Sequence, residues 1–128
     1  MRFFLVLISL NFFLIPESSY SAWFKLFSSN SADLYLDTSS IIKRDRSIFF
    51  SQIVNYKKPQ RGSILSHQVY SEINCTNLRI RDLKHEVFKK KMGLGKKLQK
   101  NNFNKKWRNT KKGTSENFLN KILCDRIK

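Results

Sequence analysis

The feature that most limits what this chain can become lies at its start. Met1-Arg2 is a short positive lead, residues 3–15 (FFLVLISLNFFLI) are apolar apart from Ser9 and Asn11, and Pro16-Glu17 ends the run. Ser18-Ser19-Tyr20-Ser21-Ala22 then supplies small residues. A charged start, an apolar run of about 13 residues and a small-residue cleavage site make up a secretory signal. Cutting after Ser21 puts Ser19 and Ser21 at the two positions that must be small. An uncleaved membrane anchor is the competing reading, but a spanning helix needs about 20 apolar residues, and Pro16 breaks this run sooner. The sequence thus divides into residues 1–21, a signal peptide, and residues 22–128, one exported domain of about 107 residues. No later segment is apolar enough to span a bilayer, and no cysteine lies near the cut to take a lipid. The expected location is the periplasm or, if secreted, the medium or cell surface.

Export changes the meaning of the cysteines. Cys75 and Cys124 are the only two in the chain. In an oxidising compartment an even number of cysteines reads as bridges, and two allow one pairing. That bridge closes a loop of about 50 residues, worth roughly 4 kcal/mol on the chain-entropy model. The competing reading is two unrelated buried thiols.

The formal net charge is +16. It is uneven: residues 79–112 hold fourteen Lys and Arg against Asp82 and Glu86. Such a field attracts polyanions, among them acidic lipids, lipopolysaccharide, sulfated glycans and nucleic acid. A second reading stays open. Lys (17) outnumbers Arg (8), Lys is a point charge rather than a bidentate fork, and the run then serves as a solvated surface.

Alternation and turn chemistry predict mostly strands. Residues 22–27 (AWFKLF) are aromatic-rich, and Ser28-Ser29-Asn30-Ser31 breaks them. Leu34 and Leu36 alternate with Asp33, Tyr35 and Asp37 as a short strand, and Asp37-Thr38-Ser39-Ser40 reads as a turn or cap cluster. Residues 47–56 (SIFFSQIVNY) form the best strand, with the even face Ile48, Phe50, Gln52, Val54 and Tyr56 expected to point to the core. Residues 57–62 (KKPQRG) read as a loop. Val69 and Ile73 mark a further strand, and Leu78, Ile80 and Leu83 continue a strand pattern past Cys75. Gly93-Leu94-Gly95 reads as a hairpin tip. Residues 96–112 are polar, with Leu98, Phe103 and Trp107 to bury. Gly113-Thr114-Ser115-Glu116 supplies a break and an N-cap with an acid in the first turn. Phe118, Leu119, Ile122 and Leu123 follow at helical spacing, and Cys124 closes the helix.

Taken in order, Trp23, Asp37, Ile41, Tyr56, Pro59, Ser66, Cys75, Arg79, Arg81, Gly93, Gly95, Trp107, Ser115 and Cys124 resemble the pattern of the surface-adhesin protein E family of small bacterial exported domains. The likeness spans nearly all of residues 22–128, and its Cys…Trp…Cys frame is the most distinctive part. Two departures stand out. Lys112-Gly113-Thr114-Ser115 lacks the proline usual before the last helix, and the lipidation cysteine of many members is missing. The resemblance implies an α+β fold, a single antiparallel β-sheet with a C-terminal helix packed on it, and a binding or envelope role rather than catalysis. It also places Trp107 in the core.

Catalytic and metal patterns are weak. His67 and His85 are far apart in sequence and lie in no ligand-spaced cluster, so neither a metal nor another cofactor is expected. Ser66-His67 is no dyad, since adjacent strand residues face opposite ways, and the carboxylates are scattered. Gly93-x-Gly95 lacks the third glycine and the following helix of a phosphate loop. The binding candidate is the segment from Phe88 to Trp107. Lys89, Lys90, Lys91, Lys96, Lys97, Lys100, Lys105, Lys106 and Arg108 make a candidate polyanion-binding strip there beside two aromatics. Expected partners are a host or envelope macromolecule, or an anionic lipid or glycan; export argues against nucleic acid. A periplasmic structural or accessory protein with no extracellular ligand is the alternative.

Overall fold

The computed structural model describes residues 23–126. The signal peptide expected at residues 1–21 lies outside the described residues. Strands β1 (Trp23–Ser28), β2 (Ala32–Arg44), β3 (Ser47–Gln60), β4 (Ile64–Asn74), β5 (Arg79–Phe88), β6 (Lys97–Lys100) and β7 (Arg108–Asn109) precede helix α1 (Ser115–Arg126). They build one sheet in the order β1-β2-β3-β4-β5-β6, every pairing antiparallel, and β7 pairs the other half of β5. The fold is the expected one: a single antiparallel sheet, a C-terminal helix and one disulfide.

The helix packs on one sheet face. Thr114 caps it, accepting from Asn117 N through its hydroxyl (3.2 Å) and from Phe118 N through its carbonyl (3.1 Å). Leu119 and Leu123 sit in one buried cluster with Leu36, Ile48, Phe50, Ile73 and Ile80. Burying each such side chain contributes about 1.5–3 kcal/mol. Cys75 and Cys124 are bonded, with Cα atoms 5.5 Å apart, so the helix is stapled to the turn after β4. The predicted apolar stripe is shifted: Phe118 is 60% exposed, and Asn120 is fully buried instead. The shift follows from sheet contact falling on the 119/120/123 face, which leaves Phe118 on the far side. Neither Asn120 amide atom has a hydrogen-bond partner among the described residues.

The even face of β3 is core at Ile48 and Phe50, but Ser51, Ile53 and Asn55 on the opposite face are buried as well. A second, smaller cover explains this. The turn after β5, with a 3-10 turn at Lys91–Gly93, folds over that face. A Cβ on Gly93 would lie 3.3 Å from Ile53 Cδ1, and the residue has φ 68°, so a glycine suits this close turn.

Three local expectations change. Residues 37–40 are not a separating turn but an irregularity inside β2, where pairing with β3 lapses between Asp37 and Ile42. Asp37 Oδ1 accepts from Ser39 N (3.0 Å), and Ser40 Oγ accepts from Ser51 N (2.8 Å), so side chains replace the missing ladder bonds. β3 runs on to Gln60 through Pro59, which the ladder tolerates because pairing lapses between Asn55 and Gln60. Finally, residues 75–78 form a turn with Leu78 at φ 57°, so β5 starts only at Arg79.

Candidate functional site

A meander alternates its turns between the two ends of the sheet. The β1–β2, β3–β4 and β5–β6 connections therefore share one end, and the β2–β3 and β4–β5 connections share the other with the disulfide. At the first end, Ser66 Oγ donates to Lys90 O (2.6 Å) and accepts from Gly93 N (3.1 Å). Asn55 Oδ1 accepts from Met92 N (2.8 Å). Two buried polar side chains of β3 and β4 thus clamp the turn bearing Lys89, Lys90 and Lys91. Lys89 Nζ reaches across to donate to Gly62 O, which ties this turn to the β3–β4 loop.

The electrostatics of this end centre on Asp33. Its pKa is lowered, first by the hydrogen bond from Ser28 and then, against some desolvation, by Lys25, Lys57 and Lys91. Lysines from three separate segments therefore converge on one carboxylate; Lys25 Nζ is 3.7 Å and Lys57 Nζ 3.9 Å from it. Lys58 near the end of β3, Arg61 in the β3–β4 loop, and Lys90, Lys91 and Lys96 in the facing turn are exposed. Glu86 is the next carboxylate; a hydrogen bond from Lys84, then the charges of Lys84 and Lys97, hold its pKa down. The salt bridge from Lys97 measures 3.5 Å.

The structure splits the nine-residue strip. Lys89, Lys90, Lys91, Lys96 and Lys97 lie in or beside the tip. Lys100 pairs opposite His85 on the sheet, and Lys105 and Lys106 follow in an irregular stretch, Lys105 Nζ lying 5.3 Å from the Phe103 ring centroid. Arg108 is elsewhere: its guanidinium spans Asp82 (3.1 Å) and Glu116 (2.6 Å). Burial works against that charge, but the two carboxylates outweigh it and raise the pKa. Trp107 is half-buried rather than core, with Arg81 stacked over it at 4.5 Å. Sequence reading missed Lys25, Lys57, Lys58 and Arg61, although the alternation of turns in a meander was signal enough to group them with the glycine tip.

The two histidines, remote in sequence, meet. His67 Nε2 lies 2.7 Å from His85 Nδ1, and His85 Nε2 donates to Asp82 Oδ2 at 2.9 Å. Opposed registers bring this about, His67 facing Val87 and Val69 facing His85. Burial first, then the charges of His85 and Lys100, lowers the His67 pKa to about 4. Among the described residues no group of three or more His, Cys, Asp or Glu is placed to hold a metal.

A cleft of about 460 Å³ opens at the opposite end beside the disulfide, lined by Lys43, Arg46 and Lys121 together with Asp45 and Asp125. No helix among the described residues is long and apolar enough to cross a membrane.

Comparison with known proteins fits this architecture. No curated protein sequence matches the chain. Crystal structures of protein E from Haemophilus influenzae are similar in fold. One, from a non-typeable strain, has a TM-score of 0.65 at 21% identity over 86% of this chain and 80% of that one. A second crystal form gives 0.66 at 19% identity, covering 86% and 92%. The family model described as surface-adhesin protein E matches residues 23–125. With that span covering nearly all of the described residues, the chain belongs to the surface-adhesin protein E family.

Proposed function

We propose that this protein is an exported, non-enzymatic binding protein whose ligand is a macromolecular polyanion, held at the sheet end formed by the β1–β2, β3–β4 and β5–β6 turns. Membership of an adhesin family implies an adhesive binding role. The observation that carries the finer reading is the convergence of Lys25, Lys57 and Lys91 on Asp33, with Lys58, Arg61, Lys90 and Lys96 exposed around them. A polyanion meeting this end releases counterions, so affinity falls steeply with salt. The leader supports export to the periplasm or cell surface, and the bridge suits an oxidising compartment.

Retention on immobilised heparin in a salt gradient tests the reading. The expected result is binding at low salt that weakens by orders of magnitude between about 50 and 200 mM. Lys58→Gln with Lys90→Gln and Lys96→Gln shifts elution to lower salt. Arg108→Gln does not, because its charge is already matched by Asp82 and Glu116. No retention at low salt, or salt-independent retention, overturns the proposal.

A further inference from the structure

We propose that the Asp82–His85–His67 chain is an acid-operated latch: it holds residues 101–107 against the sheet and releases them when both imidazoles become charged. The functional side of this inference, regulation of the cationic surface, rests on the polyanion reading; the latch itself does not.

The proton count sets the mechanism. His85 Nε2 carries a proton, because it faces the Asp82 carboxylate. At 2.7 Å, His85 Nδ1 and His67 Nε2 share a single proton between them. The pair can take one further proton and keep this contact, with His85 donating from both nitrogens and His67 accepting. A second charge puts two N–H groups head to head, with ring centroids only 4.9 Å apart. Two N–H groups cannot both point into a 2.7 Å contact, so the doubly charged form cannot keep this geometry.

The surroundings do not rescue that form. Among the described residues Asp82 on β5 is the one carboxylate bonded to the pair, and it is already shared with Arg108 of β7 at 3.1 Å. Glu116 of α1 faces Arg108 at 2.6 Å rather than the imidazoles. Lys100 of β6 lies opposite His85 and adds like charge. The remaining sheet neighbours, Val54 opposite His67 from β3, Val69 and Val87, carry no charge. Parting of the rings is the remaining way to relieve the repulsion.

What rides on the pair is the stretch between β6 and β7. Residues 101–107 form no strand or helix. Phe103 packs on His85 with centroids 4.2 Å apart, and Lys105 lies over Phe103. At the far end Trp107 lies under Arg81. Turning His85 removes the platform under Phe103, frees Lys105 and Lys106, and leaves two imidazolium charges at the surface. Acid should therefore tighten polyanion binding.

The test uses the disulfide-intact protein carrying Trp23→Phe, so that Trp107 is the one tryptophan. Histidine ring resonances, Trp107 emission and far-ultraviolet circular dichroism are followed from about pH 8 to about pH 3.5. One imidazole is expected to titrate near pH 4, and Trp107 emission to change at the same midpoint while the sheet signal holds. In His67→Gln, which keeps a hydrogen-bonding side chain but cannot charge, the emission step disappears. Heparin retention rises on acidification in the parent and rises less in His67→Gln. His67 titrating near the ordinary imidazole value of about 6.5 with flat emission, or an emission step that survives His67→Gln, overturns the latch. If that variant does not fold, coincidence of the imidazole and emission midpoints in the parent decides the matter. Absence of heparin retention at every pH, with the emission step present, sinks the polyanion reading and leaves the latch standing.

Discussion

The two ends of the sheet are built on different principles. At one end the Cys75–Cys124 bond joins α1 to the β4–β5 turn beside the cluster of Ile48, Phe50, Ile73, Ile80, Leu119 and Leu123, and Asp45 and Asp125 partly offset the basic side chains of the cleft there. At the other end Ser66 and Asn55 clamp a glycine turn by hydrogen bonds, and lysines from several segments crowd Asp33. Unbalanced like charge is destabilising, and stability anchored at the far end lets this end tolerate it. On the proposed function, folding and binding are carried by different residues here, so they should be separable by substitution.

The sharpest way to break this comparison is to cut the staple. Cys75→Ser with Cys124→Ser removes a loop constraint across 49 positions and should lower unfolding stability by roughly 4 kcal/mol, read from urea denaturation. Heparin retention below the new melting temperature should not change. A proportional loss of retention would show that the ends are coupled.

A smaller effect is expected at the charged end. Lys58→Gln with Lys90→Gln and Lys96→Gln should weaken heparin binding about tenfold to a hundredfold and flatten its salt slope by up to about 3, with the melting temperature little moved. The matching set at the other end, Lys43→Gln, Arg46→Gln and Lys121→Gln, should leave retention close to that of the parent.

Asn120 offers a gain instead of a loss. Its amide is fully buried and unpartnered among the described residues, so Asn120→Leu should raise stability by about 1–2 kcal/mol, seen as a higher melting temperature. A fall would mean that the amide has a partner, such as an internal water.

The smallest effect is the pH dependence. The folded His67 pKa, near 4, lies below the unfolded value of about 6.5. The unfolded chain therefore takes up this proton first, and stability declines as pH falls from about 6.5 toward 4, then levels off for this group. The ring is only half buried, so solvent screening trims the effect to on the order of 1 kcal/mol. His67→Gln should flatten that part of a stability profile measured by urea unfolding.

How much of this was legible from residues alone varied with the range of the interaction. The Thr114–Glu116 helix start, the Gly93–Gly95 tip and the Cys75–Cys124 pairing were readable because each depends on local chemistry or on a single possible partner. Both faces of β3 being buried was not, since alternation cannot reveal that a turn 40 residues later covers Ile53. The His67–His85 contact was equally hidden: strand register decides it, and sequence distance says nothing of register. The pairing of Arg108 was hidden for the same reason, since its two carboxylate partners come from β5 and α1.

By itself the sequence determined a mostly β domain, one bridge, a capped last helix and a large excess of positive charge, because backbone preference and cysteine count act residue by residue. Only the tertiary structure decided which lysines stand together, which cation is already neutralised and which histidines share a proton. Those are distances between strands, and the register and turn alternation of the meander fix them.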